Sequence, residues 1–242
     1  MNKLPVKILL GTLIFLIVAF GADRVFDFYR IVTRLFPAKP VLATAKLFSF
    51  SDKDSLQEWN EKILNGRTTY TIESAEGESY VRAVSDNSCS AMYYQIKLDP
   101  NRHPFLSWRW HASVFPDKPS PDNLCSKAED DYAARMYVIF PAIFFANSKA
   151  LEYVWVKDSM LGTITSSPYS ANIKVIVLES GAKAEWMREE RDIYNDYVEA
   201  FGTKPTLEIG AISFMCDSDS TKSKAEAFLD DIKIFYKKEV NK

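Results

Sequence analysis

Two arginines, a histidine and a tyrosine are the side chains whose spacing in this sequence suggests joint chemistry. In residues 106–114, Leu106, Trp108, Trp110, Ala112 and Val114 alternate with Ser107, Arg109, His111 and Ser113. That is the period of a strand, whose successive side chains point to opposite faces. Residues 132–140 repeat it, setting Tyr132, Ala134, Met136, Val138 and Phe140 against Ala133, Arg135, Tyr137 and Ile139. Paired antiparallel, the two runs place Arg109, His111, Arg135 and Tyr137 on one face, with directly opposite Cβ atoms about 4.5 to 5.5 Å apart. Guanidinium groups that close require an acid between them. Asp130, Asp131 or Glu179 in that place makes a structural ion network; a ligand carboxylate, phosphate or sulfate there makes a binding site. Tyr153 and Trp155 add flat rings, and rings beside planar hydrogen-bonding groups suit sugar recognition. Trp155 equally suits a core, where large aromatics usually lie.

Other chemistry is less well provided. Asp217 and Asp219 alternate with Ser218, Ser220 and Thr221, half of a site for Ca²⁺, which takes about six to eight oxygens. Asp230 or Asp231 would complete it, although Asp-rich turns also simply cap backbone N–H groups. No other cofactor is suggested. Glycoside hydrolysis asks for two carboxylates about 5 to 9.5 Å apart, and no spacing singles out a pair; Asp130, Asp131 and Glu190 are the acids for that alternative. His103 and His111 are the two histidines, and no Gly-x-Ser-x-Gly elbow is present, which argues against a serine nucleophile. Cys89, Cys125 and Cys216 match no zinc spacing. In an exported protein Cys89 and Cys125 would pair, leaving Cys216 in a strand pattern; otherwise all three are small buried side chains.

The elements that must position these residues read as mainly β. Strand patterns cover residues 47–50, 68–73, 80–85, 91–98, the two runs above, 151–156, 173–179, 207–215 and 228–236, with a capped helical turn at 55–59. Residues 185–201 read as the one inserted α-helix, closed by Gly202. Parallel sheets would need a helix after nearly every strand, so the expected architecture is an antiparallel two-sheet β-sandwich of jelly-roll type over residues 46–237, followed by a short tail at 238–242. The 242 residues carry 30 Lys+Arg against 32 Asp+Glu with no basic block, which excludes a nucleic-acid partner.

Lys3 and Lys7 precede an uncharged run at 8–22, read as a signal peptide or signal anchor within residues 1–22. The run covers about 22 Å of a hydrocarbon core about 30 Å thick. Residues 23–36 continue as an amphipathic helix, and Pro37 and Pro40 open a linker that completes 23–45. The partner implied is the membrane, reached through this segment, with the domain exported and either anchored facing the periplasm or secreted.

Several stretches resemble domain-of-unknown-function family 3047: 106–110, 130–140, Tyr153 to Trp155, Trp186 with Glu190 and Arg191, Asp196 and Tyr197 with Phe201 and Gly202, and 217–221. The resemblance spans about residues 46–237 and implies an exported bacterial protein; it brings no activity or catalytic residues. Cys216 and the serines at 218 and 220 depart from the Thr and Asn of that pattern, which weakens the Ca²⁺ reading. Residues 227–235 are similar to the last strand of galactose-binding-like jelly rolls. The function expected is a non-catalytic, envelope-located binding domain for a polysaccharide or similar polar ligand, through Arg109, His111, Arg135, Tyr137, Tyr153 and Trp155. The alternatives are a hydrolase or lyase acting on an envelope polysaccharide, and a structural subunit of an envelope assembly.

Overall fold

The computed structural model describes residues 46–75 and 77–237. The readings of 1–22 as a targeting segment, 23–45 as helix and linker, and 238–242 as a tail fall outside the described residues. Within them the chain forms β1 (Lys46–Phe48), β2 (Asn60–Asn65), β3 (Thr69–Ala75), β4 (Glu78–Asp86), β5 (Cys89–Leu98), β6 (Pro104–Val114), β7 (Ala134–Phe140), β8 (Lys149–Val156), β9 (Ile164–Ser167), β10 (Ser170–Ser180), β11 (Met187–Asp192), α1 (Ile193–Phe201), β12 (Ile209–Asp217) and β13 (Lys224–Tyr236).

Alternation decides where the strands go. The first sheet runs β11-β6-β13-β4-β3, with β1 joined to β13; the second runs β2-β5-β12-β7-β8-β10-β9. Trp108 and Trp110 of β6 are 0 % exposed and face Tyr153 and Trp155 of β8 across the gap, with ring centres 5.5 and 5.7 Å apart. Phe214, Met136, Val138, Leu229 and Ile234 fill the space around them. Burying a ring of this size stabilises by about 1.5 to 3 kcal/mol, so the aromatic row holds the two sheets together.

Three expectations need correction. The two central runs are not partners: β6 lies in the first sheet between β11 and β13, and β7 lies in the second between β12 and β8. Residues 115–133 carry the chain from one sheet to the other, and Leu124 and Tyr132 from this connection pack on Val154, Val156, Val175 and Val177. Every residue of β7 is buried, with Arg135 under the Tyr132 ring of this connection and Tyr137 and Ile139 packed among Cys89, Ala91, Tyr93, Ala211 and Met215, where an accessible ligand-binding face was expected. The sandwich is also not wholly antiparallel. The chain leaves β8, forms β9 at the sheet edge and returns between them, so β10 pairs antiparallel with β9 and parallel with β8. Finally, the helix begins at Ile193, not at 185. Asp192 caps it by accepting the N–H groups of Tyr194 and Asn195, and Gly202, at φ 68°, closes it with its N–H on the Val198 carbonyl. Residues 187–192 form β11 instead.

No disulfide forms among the described residues. Cys89 and Cys216 are buried free thiols, on different faces of the second sheet, and Cys125 is exposed. The Cys89 Sγ lies 3.8 Å from the Met215 sulfur, while the Cys125 sulfur lies 3.6 Å from the Thr165 hydroxyl.

Candidate functional site

The first sheet turns its apolar face inward, so the other phase of its strands makes an outer face. His111 of β6 stands opposite Phe228 of β13, and Phe228 opposite Arg82 of β4; Tyr80 lies two residues from Arg82 on the same side. Trp186, just before β11, completes a cluster of rings. Centre-to-centre distances are 5.6 Å for Tyr80–Phe228, 5.5 Å for Tyr80–Trp186, 5.9 Å for His111–Phe228 and 6.3 Å for His111–Trp186. All four rings are partly exposed. The His111 Nε2 lies 2.9 Å from the Lys183 carbonyl, which can only accept, so this nitrogen donates.

Arg109 borders the rings, its guanidinium 5.0 Å from the Trp186 ring centre. Its Nε and Nη2 donate to Asp230 at 3.1 and 2.6 Å, and its Nη1 lies 2.7 Å from Glu78. A bulge in β13 between Asp230 and Lys233, with Asp231 at φ 51°, also brings Asp231 to within 3.7 Å of Arg109 and 2.8 Å of Arg188. Arg82 is held by Glu226 and Glu73, with N···O distances of 2.5 and 3.1 Å.

Arg135 and Tyr137 lie elsewhere, on the outer side of the second sheet. Arg135 is 2 % exposed. Its Nε donates to Asp217 at 2.9 Å, its Nη1 to Glu152 at 2.6 Å and to the Tyr137 hydroxyl at 3.3 Å, and its Nη2 to Asp217 and to the Asp130 carbonyl. The Tyr137 hydroxyl donates in turn to Glu152 at 2.9 Å. Burial alone would lower the Arg135 pKa, yet Asp217 and its neighbours hold it well above the usual value; the same burial raises Asp217 and Glu152. This is the protein-acid case of the arginine argument: a buried ion network with no face toward a ligand. Glu179, the third acid considered for that role, instead holds Lys183. Tyr153 and Trp155 are 0 % exposed core residues. The Tyr153 hydroxyl donates to Asp196 at 2.7 Å and the Trp155 indole to the Gly181 carbonyl at 2.9 Å. Of the six residues expected to touch a ligand, the structure leaves Arg109 and His111 on an open face. It adds Tyr80, Trp186 and Phe228, which come from a neighbouring strand, a loop and the last strand, so that no local spacing joins them.

The family described as "Protein of unknown function (DUF3047)" matches residues 57–233, nearly three quarters of the chain. The chain belongs to this family. No curated protein matches it. Among solved structures it is similar to the family 11 carbohydrate-binding module of a cellulosomal cellulase of Clostridium thermocellum, at 9 % identity and TM-score 0.43, covering 83 % of this chain and 100 % of that one. It is also similar to the xyloglucanase domain of NopAA from Sinorhizobium fredii in complex with cellobiose, at 14 % identity and TM-score 0.43, covering 74 % and 93 %.

In this DUF3047 domain the remaining candidate carboxylates have structural partners. Asp131 accepts the Ser220 N–H at 3.2 Å and the Thr221 N–H and hydroxyl at 2.6 Å each, fixing the turn before β13. Asp130 lies 3.5 Å from Arg135, and Glu190 lies 2.7 Å from Lys237. Both oxygens of Asp217 serve Arg135, and Asp219 accepts the Asn65 amide at 3.0 Å. One ligand atom each of Asp217, Asp219 and Cys89 lie within 4.8 Å of one another, but a thiol and a carboxylate committed to a guanidinium do not fit Ca²⁺, a hard ion that takes oxygen ligands. Asp230 and Asp231 serve Arg109 and Arg188 on the first sheet. A carboxylate pair that the sequence reading missed is Glu179 and Glu189, on strands of opposite sheets. Burial, and then the neighbouring Glu179, push Glu189 up to about 7.

Proposed function

We propose that this DUF3047 domain is a non-catalytic binding domain for a glycan or similar polar ligand, which it takes on the outer face of the first sheet. The observation that carries the reading is the cluster of Tyr80, His111, Trp186 and Phe228, in mutual contact yet partly exposed. Sugar rings offer C–H faces to aromatic planes and hydroxyls to carboxylates and guanidinium groups, and here both lie side by side without a nucleophile. Ion pairs set Arg109 and Arg82 in place before any ligand arrives, so little side-chain entropy is lost on binding. We further propose that the domain works in the cell envelope with the membrane as its partner, supported by Lys3, Lys7 and the uncharged run at 8–22.

The test is a glycan array probed with the full chain, followed by calorimetry on any ligand retained. Trp186→Ala and Tyr80→Ala are expected to weaken binding about tenfold or more each, equivalent to about 1.4 kcal/mol, with the melting temperature little changed. Binding that survives both substitutions would place the ligand elsewhere.

A further inference from the structure

The ring cluster sits in a field whose sign is set by its neighbours. Arg82 faces two carboxylates, Glu73 and Glu226. Arg109 faces Asp230 and Glu78, with Asp231 next to it and shared with Arg188. Lys183, whose carbonyl meets His111, has its ammonium on Glu179. Each cation at the platform thus already has an acid, and carboxylates around the rings outnumber arginines. A ligand carboxylate or sulfate would have to displace one of these acids and lie among the rest.

From this we infer that the platform is selective by charge, preferring a saccharide that carries protonated amines and discriminating against acidic polysaccharides. The inference rests on the binding-platform reading above and narrows its ligand class. An ionised carboxylate accepts at about four lone-pair positions. Arg109 engages one oxygen of Glu78, whose side chain is 60 % exposed, and Glu73 and Asp231 are 39 % and 34 % exposed. An ammonium on the sugar can meet these oxygens directly. It can also lie over the face of Trp186 or Tyr80, within the roughly 6 Å range of a cation–π contact. A neutral sugar gains the stacking and hydroxyl contacts without the charge. A uronate gains the stacking and meets repulsion.

The experiment compares three probes of equal length against the full chain by calorimetry: a glucosamine oligomer, its fully N-acetylated counterpart, and an oligouronate. At about 0.1 M salt the amine oligomer is expected to bind at least about tenfold tighter than the acetylated one, with no measurable uronate binding. The ratio should shrink toward one at about 1 M salt, where the Debye length falls from about 10 to about 3 Å. Glu78→Gln is expected to lower that ratio at least threefold, with the melting curve as a control for folding. Equal binding of amine and acetylated oligomers, or tighter binding of the uronate, overturns the charge selectivity and leaves the binding platform standing. Failure of all three probes to bind overturns the charge selectivity, and only an array that retains no glycan at all overturns the platform reading as well.

Discussion

Arg135, buried, and Glu189, half-buried, are two ionisable groups with opposite demands. Arg135 is surrounded by Asp217, Glu152 and Asp130, and losing one side of such a buried pair is more costly than the pair is stabilising. Glu189 stands between Glu179 of the other sheet and Arg191 of its own strand, in partial burial, and holds its proton up to about 7 against an ordinary 4.5. Between those values the folded chain binds more protons than the unfolded chain, so stability falls as pH rises. This contribution is full below about pH 4.5 and gone above about pH 7. Asp217 and Glu152, also raised, act with the same sign, so the contribution of Glu189 is read from the difference between proteins. Glu189→Gln should flatten the fall and gain about 1 to 3 kcal/mol over the parent at pH 8. Urea unfolding of both at pH 5 and pH 8 checks this, and parallel profiles would count against it. The facing of Arg109 and His111 was legible in the sequence, because one side of their strand is dry and the other wet. The burial of Arg135 and Tyr137 was not: alternation reports which side a residue takes, and what makes that side dry comes from afar, Tyr132 over Arg135 and Tyr93, Ala211 and Met215 of neighbouring strands around Tyr137.

The elements show the same limit. The strands with a core-facing run of Trp, Val, Ile or Phe were legible to within a few residues. The three missed strands, β2, β9 and β11, are all edge strands. Edge strands are kept short and charged because an apolar edge invites another chain to pair with it, and that composition erases the signal. β11 reads Met-Arg-Glu-Glu-Arg-Asp, which extends the apparent helix backward by a full strand. The true helix start is set by Asp192, whose carboxylate takes the N–H groups of Tyr194 and Asn195 at 3.0 and 3.1 Å and also faces His103 at 3.2 Å. Asp192→Ala should cost about 1 to 2 kcal/mol, the usual loss of an N-cap, while glycan binding at the distant ring cluster persists. Thermal melting beside a binding assay separates the two, and a loss within about 0.5 kcal/mol, ordinary for a surface change, would show the cap to be dispensable.

For the whole molecule, the apolar stretch at 8–22 carries the location proposal. Replacing Leu13, Ile14 and Leu16 by charged residues should leave the protein in the cytosol by cell fractionation, and normal delivery of that variant would sink the proposal. The sandwich itself adds a condition of timing. β13 is the last strand among the described residues, yet it lies inside the first sheet, with β6 along one side and β4, then β1, along the other. Until residue 236 has left the ribosome, the hairpin of β3 and β4 and the pair of β6 and β11 have no common neighbour, and Trp108 and Trp110 lack the sheet that encloses them. Such long-range pairing is slow to form. The first sheet therefore stays open until β13 emerges, a state in which a polypeptide can still be threaded through a narrow pore, and it closes only when residues 224–236 are in place.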